Sequence, residues 1–207
     1  MERTLALRRD LWSGRSITDE IRIELLRKSL HLLIAFVPSL AAISVEYTVV
    51  LLSAGTVFYA LCETLRIRGV AVPLVSRLTS MAARRRDAGR FVLGPITLGL
   101  GALLALLLYP NPAASIAIYA LAFGDGLSSL VGKLFGSVRL PLTGGKSLEG
   151  SLTCMAAVFL SSVIVTGSPL RCLPVALVAT VVEAAPTKDM DNLFLPVLTG
   201  AVAALLF

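Results

Sequence analysis

Seven apolar blocks can be drawn along this chain, at about 29–44, 46–63, 91–109, 114–135, 149–166, 170–185 and 191–207. Each can cross a hydrocarbon layer roughly 30 Å thick, some with a polar interruption. The pattern predicts an all-α, polytopic membrane protein with about seven transmembrane helices. The first block is short and can extend back through IRIELLRKSL. There Ser16 is placed to cap a helix that starts near Ile17, with Asp19 in capping-box position. Two regions are expected: residues 1–28 as a cytoplasmic segment with an interfacial helix, and residues 29–207 as a single transmembrane catalytic domain.

Composition strengthens the membrane reading. Hydrophobic residues make up 56% of the 207 positions, and the mean hydropathy is +0.85, far from the usual balance of a water-soluble domain. The 19 lysines and arginines supply orientation. All but Arg171 fall before the first block, in alternate intervals or, for Lys133, at the end of the fourth block, positions that the positive-inside rule assigns to the cytoplasm. The N-terminus is therefore expected to be cytoplasmic and Phe207 external. The net charge of +6 then belongs to one membrane face and its anionic headgroups. Nucleic-acid binding is disfavoured, because the basic residues are not interleaved with stacking aromatics. Cys62, Cys154 and Cys172 lie inside apolar runs without paired spacing and read as packing residues. MERTLALRRDLWSGRS has no apolar core behind its charges and does not read as a cleavable signal.

Ionisable residues in or beside membrane spans are costly, so they mark candidate chemistry. Four clusters occur. In ELLRKSLH, helical spacing sets Glu24, Arg27 or Lys28, and His31 in one row; a snorkelling basic collar and a substrate-facing row are both compatible with it. In FGDGLSSLVGKLFG, Asp125 lies deep in an apolar run, and Asp125, Ser128, Ser129, Gly132 and Gly136 share a small, polar face. Small residues alone would mean close helix packing, but a carboxylate at depth needs a cation, a proton or water. Gly124 and Gly126 flank it and would let backbone amides approach a ligand.

The third cluster, LTGGKSLEGS, ends in the Gly-Lys-Ser of a phosphate-binding P-loop. Leu140 stands where that motif needs its first glycine. Ser147 instead reads as the N-cap of a helix from about Leu148, with Lys146 beside it. Free amides at that helix start would bind phosphate; an ordinary capped helix is the competing reading. The fourth cluster, VEAAPTKDMDNLFLP, brings Glu183, Asp189, Asp191 and Asn192 to one loop. This is a suitable oxygen environment for Mg²⁺ shared with substrate phosphates, or else a solvated turn. Together the clusters suggest phosphoryl or nucleotidyl transfer to a lipid.

RKSLH, GDGLSSLVGKLFG, KSLEGS and E-x-x-P followed by DNLFLP, in that order from Arg27 to about Pro196, resemble the CTP-dependent lipid kinases: dolichol kinase, phytol kinase and the yeast-type CTP-dependent diacylglycerol kinase. The resemblance implies a polytopic enzyme that moves the γ-phosphate of CTP to a lipid alcohol. In that reading Lys133, Lys146, Ser147, Gly124, Gly126 and Gly132 hold the nucleotide, and Asp125 with Asp191 holds Mg²⁺. Asp125 or Glu183 accepts the proton of the hydroxyl, and Lys146 is the essential cation. Arg27, Lys28, His31, Glu149 and Asn192 complete the expected site, with His31 assigned to neither nucleotide nor lipid. The family's distant relation to CDP-diacylglycerol synthases keeps a phosphatidate cytidylyltransferase as the alternative. An ion-coupled transporter centred on Asp125 is a third class, disfavoured by the one-sided polar clusters and the lack of an inverted repeat. The resemblance places the protein in a bacterial inner membrane, with membrane lipids around it and its site facing the cytoplasm. Oligomeric state is not specified.

Overall fold

A computed structural model describes residues 17–83, 87, 89–187 and 190–207, with side chains from Ile21 onward. Ser16, the side chain of Asp19, Arg84 to Arg86, Lys188 and Asp189 lie outside the described residues. Those described form helices joined by short connections, and the expected all-α architecture is what the structure has.

Each of the seven apolar blocks coincides with a helical segment. The first is α1 (Ile17–Leu32), a 3₁₀ turn (Leu33–Phe36) and α2 (Val37–Ile43). Pro38 has no N–H to give Ile34, so Val37 donates to that carbonyl and the helix tightens for one turn. The block thus runs as one stretch from Ile21 to Ile43, and the boundary expected at residue 28 falls inside α1. Next comes α3 (Val45–Ile67), capped by the Ser44 hydroxyl, which accepts from the Tyr47 N–H at 3.3 Å. After a short α4 (Val75–Ala82) comes α5 (Gly94–Leu108).

The fourth block is α6 (Ala113–Tyr119), a π turn (Ala120–Asp125) and α7 (Gly126–Leu134). The last three are α8 (Leu148–Thr166), α9 (Pro169–Ala184) and α10 (Asp191–Leu206). Four stretches, beginning at Ile21, Val45, Ala113 and Leu148, are long and apolar enough to cross a membrane. The helices at Gly94 and Asp191 are apolar but shorter, so the structure sustains a membrane protein without fixing the count at seven.

Burial ranks these spans. In α6–α7 61% of the apolar window is buried inside the protein, against 17% in α3. The fourth block is therefore the central post, and α3 presents Tyr47, Val50, Leu51, Phe58 and Leu61 outward, as expected for a lipid-facing helix. α8 packs against α9 and α7, α10 against α9 and α5, and α1 against α7. Ile116, Ala120, Cys154, Val158, Val175 and Leu195 form one core around the post, and Ile34, Ala102, Ala105, Ile118 and Leu121 a second. Cys62, Cys154 and Cys172 are free and buried.

Candidate functional site

All four polar clusters meet in one cavity of about 460 Å³. α1 contributes Glu24, Arg27 and Lys28, and the π turn ends on Asp125. α7 adds Ser128, Ser129, Gly132 and Lys133. The connection to α8 contributes Arg139 and the stretch from Thr143 to Ser147; α8 itself adds Gly150 and Ser151. Glu183, Pro186, Thr187 and Asp191 close the far wall.

Local sequence explains the geometry. α7 and α8 cross where neither carries a side chain: a Cβ on Gly150 would lie 2.8 Å from the Ser128 carbonyl and 3.3 Å from Gly132 Cα. Between them the chain folds back on itself. Leu140 N–H donates to Lys146 O, Leu148 N–H to Val138 O, and Arg139 pairs antiparallel with Ser147. The reversal passes through Leu142, Gly144 and Gly145, all with positive φ, a conformation two of the three meet without a Cβ penalty. It leaves Lys146 pointing at α9.

The charges pair across elements. Lys28 Nζ donates to Asp125 Oδ2, and both side chains are 4% exposed or less. His31 Nε2 stands 3.4 Å from the same oxygen, and Ser129 Oγ lies 3.4 Å from Oδ1. Lys146 Nζ donates to Glu183 Oε1 at 2.9 Å and to the Glu183 carbonyl, while Ser128 and Ser151 donate to that carboxylate at 3.1 and 3.4 Å. Lys133 Nζ donates to Glu24 Oε2 at 2.6 Å, and Arg27 donates to Oε1. These pairs differ in kind. Lys133 and Lys146 are 46% and 26% exposed, so their long stems can turn toward an incoming anion. Lys28 is enclosed and stays with Asp125.

Several expected residues take other places. Ser147 does cap α8, accepting from Gly150 N–H at 3.2 Å. Two of the amides expected to be free at that helix start are used, however: Gly150 N–H by the cap, and Leu148 N–H by Val138 O. Side-chain cations are the larger share of what the cavity offers an anion. Gly124 faces Val158 and Cys154, and Gly126 faces Leu32 and His31, so both serve close packing, and neither lines this cavity. Glu149 accepts from the backbone of Ser137 and Val138 at 2.8 and 3.2 Å, fastening the connection to α8. Asn192 donates to Thr97 Oγ1 at 2.9 Å and to Gly94 O at 3.3 Å, tying α10 to α5. Two charged cavity residues were not singled out as site residues from sequence: Glu24, which shares the row of Lys28 and His31, and Arg139, counted only as a charge.

A second cavity of about 320 Å³ lies across α1. Arg27 borders both. Leu30, Val75, Leu78, Val92, Leu93, Pro95 and Leu98 make it largely apolar, and His31, Tyr59, Thr79, Asp87 and Asn192 provide its polar points. Its rim is held by Glu63, buried on α3. Glu63 accepts both Arg66 nitrogens at 2.6 and 2.7 Å and the Val92 N–H at 2.7 Å.

The molecule is thus a helical integral membrane protein with a polar, lysine-rich cavity and an apolar one on either side of a single helix. Its sequence is similar to plant enzymes that act on isoprenoid alcohols by name. A probable phytol kinase of Triticum aestivum is 28% identical over 74% of this chain and 57% of its own length. Phytol kinase 1 of Arabidopsis thaliana is 27% identical (68% and 52%), and farnesol kinase of the same plant 31% identical (60% and 46%). The chain spans about half the length of the curated relatives it matches. These relatives are named chloroplastic, which lends no support to a bacterial inner membrane. No protein-family model and no solved structure matches the chain.

Proposed function

We propose that this protein is an integral membrane kinase that transfers the γ-phosphate of CTP to a lipid alcohol of the phytol or farnesol type. The convergence of four sequence-separated polar clusters on one cavity, set against an apolar cavity, carries this reading. A phosphate donor and a greasy acceptor need such a pair of chambers, and the similarity to phytol and farnesol kinases agrees with it. Choice of cytidine rests on the family resemblance alone.

The triphosphate enters from the membrane face where the basic residues cluster, taken as cytoplasmic. Lys146 and Lys133 swing from their carboxylates onto its oxygens, and Arg139 and Arg27 flank it. Glu183 and Glu24 park these cations when the cavity is empty. Mg²⁺ fits the donor set. Among the described residues no three acidic, histidine or cysteine groups form a protein cage, but Asp125 and Asp191 face one cavity, and Mg²⁺ takes one or two carboxylates and completes its shell with phosphates and water. Asp125 and Asp191 would hold it, and it would neutralise phosphate charge there. Lys28 fixes Asp125, and Ser129 orients its second oxygen. Catalysis is then positioning and charge neutralisation of a loose phosphoryl transition state, with no covalent intermediate on the protein.

The test is label transfer. Purified protein in detergent with Mg²⁺ is given phytol, farnesol, a polyprenol, diacylglycerol or phosphatidic acid, with CTP labelled at the α- or the γ-phosphate. Label reaching an alcohol from the γ position alone is the expected result. Label reaching phosphatidic acid from the α position would replace the kinase by a cytidylyltransferase working in the same cavity.

A further inference from the structure

We infer that the hairpin between α7 and α8 is embedded in the leaflet it adjoins, with the side chains of Val138 and Leu142 among the acyl chains. This rests on α8 and α9 meeting lipid and is independent of the reaction performed in the polar cavity. Val138 is exposed, and Leu142 is 95% exposed. Single exposed leucines are ordinary on a protein surface, but these two residues continue faces that already point outward. On α8, Leu148, Leu152, Leu160 and Ile164 are exposed and fall on i, i+4 spacing, one stripe along a helix long and apolar enough to cross the membrane. On α9, Leu170, Leu173, Leu177 and Val181 form a second exposed stripe.

The hairpin joins the ends of both stripes. Leu148 N–H donates to Val138 O at 2.9 Å, which sets Val138 beside the first turn of α8. At the tip, a Cβ on Gly144 would lie 3.5 Å from Pro186, just past the end of α9, and Lys146 reaches the Glu183 carbonyl in the last turn of that helix. The hairpin therefore lies across from one helix end to the other and does not project away from the membrane face. Its two sides differ in chemistry. Thr143, Lys146 and Ser147 line the polar cavity, whereas Val138 and Leu142 line neither of the two cavities. The apolar edge is also stiff. Leu140 N–H donates to Lys146 O at 2.9 Å, the Arg139 guanidinium to Gly145 O at 2.8 Å, and the Thr143 hydroxyl to Leu140 O at 2.9 Å. Leu142 is held at a φ of 65°, a conformation glycine meets at less cost, so the turn alone gives no reason for a leucine there. An apolar side chain displayed on a fixed turn loses little freedom when it enters lipid.

Tryptophan fluorescence reads the depth. Trp12 is the one tryptophan of the chain, so Trp12→Phe gives a dark background on which Leu142→Trp and Val138→Trp each report one position. Leu152→Trp, on the outward stripe of α8, is the reference inside the bilayer. Each protein is placed in phosphatidylcholine nanodiscs, both faces of which are open to solvent, with or without bromine on the upper part of the acyl chains, and is titrated with iodide. Leu142→Trp and Val138→Trp are expected to emit at shorter wavelength than free tryptophan, to lose intensity to the brominated lipid to the same extent as Leu152→Trp, and to resist iodide. Quenching by iodide without quenching by brominated lipid would put the hairpin in water and overturn the embedding. Resistance to both quenchers would mean that protein covers this edge, a second copy or another segment of the chain, and would overturn it equally. Both side chains are exposed, so the thermal midpoint is expected to stay at that of the Trp12→Phe protein; if one variant fails to fold, the other position decides.

Discussion

The two cavities flanking α1 are built on opposite principles. In the polar one opposite charges meet: Lys28 with Asp125, Lys146 with Glu183, and Lys133 with Arg27 on Glu24. Across the helix the apolar cavity has buried Glu63 with Arg66 at its edge, and its walls are mostly aliphatic. A cavity of paired charges holds its shape while empty and gives up only the pairs a ligand can replace. A cavity of apolar walls discriminates by shape. The contrast suits a reaction whose donor is a polyanion and whose acceptor is a chain with one hydroxyl.

Within the polar cavity the sharpest division is between the fixed pair and the exchangeable ones. Asp125→Ala strands the Lys28 ammonium, and removing one partner of a buried pair costs about 3–5 kcal/mol. A marked drop in thermal midpoint in detergent, together with loss of label transfer, is expected. Adding Lys28→Met to that variant should restore most of the midpoint and none of the activity, separating support of the fold from chemistry at Asp125. A double variant that transfers phosphate would end the assignment of Asp125 to the site. Lys146→Met should behave differently. Glu183 keeps two serine donors, so the midpoint moves less, while loss of a phosphate-facing cation lowers kcat by about 10²–10³-fold. A midpoint drop as large as that of Asp125→Ala would erase the distinction between parked and fixed lysines.

How far these features were readable from the chain follows from their range. The helical blocks, the start of α8 at Ser147 and the importance of Asp125 are local statements, set by apolar length, a capping side chain and a charge out of place. That the four clusters form one cavity was a chemical guess, made because lysines, carboxylates and a lipid environment fit one reaction. Non-local partners were unreadable. The Leu148 amide is used because the preceding loop returns on itself through Val138, which no helix-start rule anticipates. Gly124 and Gly126 are small in either reading, and only the neighbours Val158 and Leu32 decide for packing. The second cavity drew no notice, because α1, α4 and α5 each give it ordinary apolar residues. The wide turn at Leu121 has no signature in the sequence, yet the Leu121 carbonyl accepts from the His31 ring at 2.8 Å.

The smallest predicted effects divide the cavities most cleanly, because they move walls without touching chemistry. A Cβ on Gly150 would meet the Ser128 carbonyl at 2.8 Å, and one on Gly101 would meet the Asn192 carbonyl at 2.0 Å. Both contacts are with backbone, so the helices themselves must shift, at an overpacking cost of about 1–3 kcal/mol. Gly150→Ala pushes α8 from α7, widening the cavity between Ser128 and Ser147, and should raise KM for the nucleotide with little change in KM for the alcohol. Gly101→Ala pushes α10 from α5 at the Asn192 tie, a wall of the apolar cavity, and should do the reverse. Steady-state kinetics with each substrate varied in turn reads both. If either alanine raised the two KM values equally, the two cavities would be one mechanical unit.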